Sequence, residues 1–155
     1  MKTISFPDPA DAIPSEAEQI QRLSHGHILY MLPKSPDRPF PIHVFVGTDM
    51  HRPTVDLWHD CMAEVIMTCT DPAVFLLHDF RNPAVNATPY ALAKGGDLRK
   101  LRPELAGASA LVISNQGMFM SILQVSTRTM PSSRPVNTFL RYDQAVRWLC
   151  SYMVR

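Results

Sequence analysis

Ala73-Val-Phe-Leu-Leu-His78 is a continuous apolar run bounded by Asp71-Pro72 before it and Asp79 after it. A strand exposed on one face alternates apolar with polar residues. An unbroken run of this length is the mark of a strand covered on both faces, as in a parallel sheet. The neighbouring segments repeat the theme. Upstream, Pro41–Val46 (PIHVFV) reads as a strand and leads into a helix opened by Pro53, a residue suited to the first helical position. From Thr54 to Cys69, Leu57, Trp58, Cys61, Met62, Val65, Ile66 and Cys69 share one half of the helical wheel, with Asp56, His59, Asp60 and Glu64 on the other.

Downstream the alternation continues. Thr88–Leu105 reads as a helix interrupted at Gly95-Gly96, and Ala110–Ser114 as a second buried strand. Gln116–Thr129 reads as a helix stopped by Pro131 and Pro135. Val136–Leu140 is the last strand and Asp143–Met153 the last helix, with Ala145, Val146, Trp148, Leu149, Tyr152 and Met153 facing inward. Strand-then-helix order predicts a layered α/β domain. His27–Leu32 (HILYML) precedes these units, joined to Pro41–Val46 by a Pro-rich loop too short for a helical crossover. The two are therefore expected to pair antiparallel. Residues 1 to about 24, rich in Pro, Asp, Ala and Ser, read as a flexible arm with a short polar helix at 15–23, followed by one domain over 25–155.

Composition limits the function classes. The chain has 155 residues, 46% hydrophobic and 19% charged, enough for one core. A formal net charge of +1 argues against a nucleic-acid partner. No signal-peptide-like start and no 18-residue apolar run are present, so a soluble cytoplasmic protein is expected, with peripheral membrane contact as a variant. Cys61 and Cys69, about 12 Å apart on one helix, are too far apart to bridge, and the three cysteines read as buried thiols of a cytosolic protein.

No P-loop, G-x-G-x-x-G or G-x-S-x-G motif occurs. The histidines at 25, 27, 43, 51 and 59 lack zinc-site spacing, so neither metal nor cofactor is expected. His78 beside Asp79 offers an acid/base pair for a small hydrolase or transferase, but adjacent strand residues point to opposite faces. Ser114-Asn115-Gln116-Gly117 precedes a helix and is a candidate anion-binding turn, or simply a cap. Lys94, Arg99, Lys100 and Arg102 form a small basic cluster, read as a solvated face. On the helix after Asn115, Met118, Phe119, Met120, Ile122, Leu123 and Val125 cover more of the wheel than docking on a sheet needs. That makes Met118, Phe119, Met120, Ile122 and Leu123 the candidate contacts for an apolar ligand, a membrane surface, a protein partner or a second copy in a homodimer.

Three stretches carry a family resemblance. Val44-Phe-Val-Gly-Thr48 runs into the Pro53 helix, Ala73–Arg81 is an apolar strand ending in Asp79, and Val136–Leu149 closes with Phe139, Ala145 and Trp148-Leu149. Together they resemble STAS-like domains, the anti-sigma-factor antagonists and SpoIIAA-like proteins, over about 110 residues from Pro41. The resemblance implies an α/β sandwich with a mixed five-stranded sheet and four helices. It implies a non-enzymatic binding or regulatory module, or a partner-switching regulator phosphorylated at Thr88. The Asp-Ser-Ser-Gly-like phosphorylation turn of the antagonists is replaced here by Asn86-Ala-Thr-Pro89, and Thr88 before a proline also reads as a helix cap.

Overall fold

The computed structural model describes residues 13–114 and 133–154, and shows an α/β domain built on one mixed sheet. The described strands are β1 (Glu18–Arg22), β2 (Ile28–Leu32), β3 (Ile42–Val46), β4 (Ala73–Phe80), β5 (Ala106–Ile113) and β6 (Val136–Phe139). Three α-helices are described: α1 (Arg52–Thr68), α2 (Pro89–Lys100) and α3 (Tyr142–Met153). The strands lie side by side in chain order. β1, β2 and β3 pair antiparallel, and β3 through β6 run parallel.

Among the described residues the sheet therefore has six strands, not five. The additional one is β1, in the segment expected to carry a short helix. Every side chain of Glu18-Gln-Ile-Gln-Arg22 is exposed, so the strand is held by backbone pairing to β2 and offers no apolar pattern to read. Gln19 adopts φ 53°, and the register slips by one residue between Glu18 and Gln21. Such a bulge twists an edge strand and discourages further pairing. The expected helix over 116–129 lies outside the described residues.

β4 is buried along nearly its whole length because both its faces are covered. Val74, Leu76 and Phe80 meet the face carrying α1 and α2, where Val55, Trp58, Met62 and Ile66 supply the helical side. Phe75 and Leu77 meet the opposite face, where Ala145, Leu149 and Met153 of α3 form one line at helical spacing. α3 packs chiefly on β5. There Ala108 and Ala110 let the helix come close, while Trp148 and Tyr152 flank it half-buried. β5 begins four residues earlier than its apolar run, at Ala106. Gly107 has φ 135°, and a Cβ there would lie 1.8 Å from the carbonyl oxygen of Val74, so only glycine fits.

Two arginines close the helix ends. The Arg102 guanidinium donates to the carbonyls of Ile66 (3.2 Å) and Cys69 (2.7 Å) at the end of α1. Arg134 is 2% exposed and donates to the carbonyls of Leu98, Leu101, Arg102 and Leu105 at 2.8–3.2 Å, closing α2. Terminal carbonyls left over from a helix need such partners, and a cation there also suits the helix dipole. α2 itself runs unbroken through Gly95-Gly96, against the expected interruption.

Candidate functional site

Trp58 projects from the inner face of α1 onto β4. Its indole N–H donates to Nδ1 of His78 at 2.9 Å, the two rings meeting edge-on with centroids 5.5 Å apart. Phe80, two residues along the same strand face, stacks against the His78 ring and meets the Trp58 indole edge-on. Burial pushes the His78 pKa down to about 4, so the ring is neutral at physiological pH. Because Nδ1 accepts from Trp58, the single ring proton of neutral His78 sits on Nε2.

Beside this pair a cleft opens between α2 and the sheet, with a volume of about 90 Å³. Leu76 and His78 of β4, with Ser109 and Leu111 of β5, form its floor. Ala91, Leu92, Gly95 and Gly96 of α2 form one wall, and Trp58 and Ile66 of α1 the other. Gly95 keeps that wall thin, since a Cβ there would stand 3.4 Å from Cη2 of Trp58. Arg99 and Arg134 reach the far end near Val136, and burial lowers the pKa of both guanidiniums. That is smaller than the roughly 150 Å³ cavity that holds benzene, so a single ring or a short aliphatic segment would fill it and protrude from its open side.

The other expected residues distribute as follows. His78 and Asp79 part company. His78 faces α1, whereas Asp79 is buried on the α3 side, where Arg81 grips it with two hydrogen bonds of 2.9 and 2.7 Å. The Arg81 guanidinium lies 5.5 Å over the Tyr142 ring, and the Tyr142 hydroxyl bonds that of Tyr30 at 2.9 Å. This network ties β4 to β2 and α3, and the geometry does not bring His78 and Asp79 onto one reacting atom. Thr88 is the cap of α2, its hydroxyl accepting from the Ala91 N–H at 3.1 Å. Ser114 ends the described stretch half-buried after β5. Asn115, Gln116, Gly117, Met118, Phe119, Met120, Ile122 and Leu123 lie outside the described residues.

Among the described residues no group of three or more His, Cys, Asp and Glu side chains could hold a metal ion. His27 is instead a structural link. Its Nδ1 accepts from the Thr48 N–H at 3.1 Å, so Nε2–H donates to the Thr54 hydroxyl at 3.0 Å, which in turn donates to Asp49 at 2.6 Å. The basic cluster is dispersed: Arg102 is turned onto α1, Arg99 lines the cleft, and Lys94 lies 5.6 Å over the Tyr90 ring. Among the described residues no helix is long and apolar enough to cross a membrane.

The cleft itself is absent from the sequence-based expectations. Two signals could have marked it. One is a histidine on the buried face of an otherwise apolar strand, and the other is a Gly-Gly pair on the inner side of a helix. No family model matches the chain, and neither a curated protein nor a solved structure does. Fold and cleft together define an α/β domain with a mixed sheet and a recess, framed by Trp58 and His78, at the α2–sheet boundary.

Proposed function

We propose that this protein is a non-enzymatic binding module that takes a small apolar ligand into the Trp58–His78 cleft. The observation that carries the reading is a recess of mostly apolar lining, floored by Leu76 and Leu111 and framed by a fixed indole–imidazole pair. Such recesses bind by burying apolar surface, with few polar atoms setting orientation. The antiparallel lead-in followed by parallel βα units supports a STAS-like relationship, in which binding rather than catalysis would be the shared theme. The test is fluorescence titration of Trp58 in a Trp148→Phe background with single-ring aromatics and short acyl chains. Saturable quenching is expected, and it should vanish in Gly95→Leu, which grows into the cleft. Undiminished quenching in Gly95→Leu would place the binding elsewhere and overturn the reading.

A second reading is a regulator phosphorylated at Thr88, favoured by one observation: its hydroxyl stands at the N-terminal end of α2, where the dipole suits a phosphate. Mass spectrometry of the protein from its native cell would find the modification. Its steady absence across growth conditions would remove the reading.

A further inference from the structure

Two polar atoms in the floor of the cleft lack partners among the described residues. His78 is 4% exposed and Ser109 8%. Trp58 occupies Nδ1 of His78, which leaves Nε2–H as the donor the ring has still to place, and no described residue accepts it. The Ser109 backbone N–H is taken by the Pro135 carbonyl at 2.9 Å, while its hydroxyl has no described partner. The two side chains share a sheet face. On the β4–β5 ladder Leu76 stands opposite Ser109 and His78 opposite Leu111, so the polar pair is diagonal, one step apart. Everything else on the floor is apolar.

Both atoms open onto the cleft, where water is what can satisfy them; a ligand that displaces that water and supplies an acceptor replaces the lost bond, where a pure hydrocarbon leaves the donor stranded. We infer that the cleft selects apolar molecules bearing one hydrogen-bond-accepting oxygen, carbonyl or carboxylate, which accepts from His78 Nε2–H and from the Ser109 hydroxyl while the apolar body lies against Trp58, Leu76 and Leu111. The inference rests on the binding reading above. Trp58 acts in it as a positioning residue, because its N–H fixes the tautomer that presents the donor. Ser109 adds selectivity, since its hydroxyl can turn to donate to the same oxygen.

The test uses three probes of matched size on the full chain: ethylbenzene, acetophenone and benzoate. Acetophenone or benzoate should bind roughly three- to tenfold tighter than ethylbenzene, the range of one net hydrogen bond. Tighter benzoate identifies a carboxylate ligand, with Arg99 supplying charge, and tighter acetophenone a neutral carbonyl. Either supports the inference. In Ser109→Ala and His78→Phe the preference should shrink toward unity. Because His78→Phe strands the Trp58 N–H and could unfold the chain, the wild-type His78 Nε2 nitrogen shift provides a separate readout. It should move with acetophenone and stay still with ethylbenzene. Equal binding of ethylbenzene and acetophenone, with an unmoved Nε2 shift, overturns the inference and leaves the binding reading standing. Failure of all three probes to bind overturns both.

Discussion

Trp58 on α1 and His78 on β4 are joined by a 2.9 Å hydrogen bond with both side chains buried. A helix packed on a sheet by apolar contacts alone can slide by a fraction of a turn. This bond, between two rigid rings, fixes α1 against β4 at one point.

Trp58→Phe should therefore cost more than the lost ring area. It leaves the Nδ1 lone pair of His78 buried without its donor, a loss of about 1–3 kcal/mol before any cavity is counted. The His78 pKa should also rise, because Nδ1 becomes free to take a proton. Urea denaturation and a nitrogen-detected titration of His78 check the two effects. An unchanged midpoint and an unchanged pKa would show that the bond contributes nothing.

Acid should weaken the fold well above the carboxylate range. Burial holds His27, His43 and His78 below the ordinary histidine value of 6.5, His78 at about 4. Below pH 6.5 the unfolded chain takes up protons that the native state refuses. Stability is thus intact at neutral pH, falls as the pH drops through 6.5, and goes on falling until His78 protonates in place near pH 4. For His78 alone the loss amounts to about 3 kcal/mol. Denaturation midpoints at pH 7, 5.5 and 4.5 measure it, and a flat profile across that window would contradict it.

Arg134 bonds four carbonyls with one planar guanidinium. A lysine has the charge but not the fork. Arg134→Lys should accordingly destabilise by about 2–4 kcal/mol, since several bonds to a charged donor are lost and buried carbonyls are left unpaired. Amide exchange should accelerate first in the last turn of α2. Exchange that speeds up evenly over the whole chain would argue against a local capping role.

At the opposite end of α2, Thr88→Ala should cost about 1 kcal/mol, the usual worth of a cap, and Thr88→Ser close to nothing. The comparison by thermal unfolding separates the hydroxyl from the methyl group. A serine variant as weak as the alanine variant would mean that the hydroxyl bond to the Ala91 N–H is not what matters.

Much of this fold was legible because its apolar residues do one job each. The run from Ala73 declares a strand covered on both faces, and the wheel from Thr54 points Trp58, Met62 and Ile66 at it. β1 was not legible, since Glu18–Arg22 is exposed at every position and is held by backbone bonds whose partner lies elsewhere in the chain. The start of β5 was hidden for another reason. Ala106-Gly-Ala-Ser109 has small residues where a strand signal wants large ones, and the need for them comes from Val74 beside Gly107 and from α3 above Ala108. The cleft is a product of tertiary apposition. Gly95-Gly96 reads as a helix break until the indole of Trp58 stands across from it.

The strand order has a consequence for how the molecule comes into being. Each described strand joins the edge left by the described strand before it, and none of them inserts between two already paired. A chain leaving the ribosome can add β2 to β1, β3 to β2 and so on, without reopening finished pairings. Nascent chains halted after Phe80 should already protect the amides of β2 and β3. Protection that arrives only after β6 is complete would mean that the sheet closes all at once.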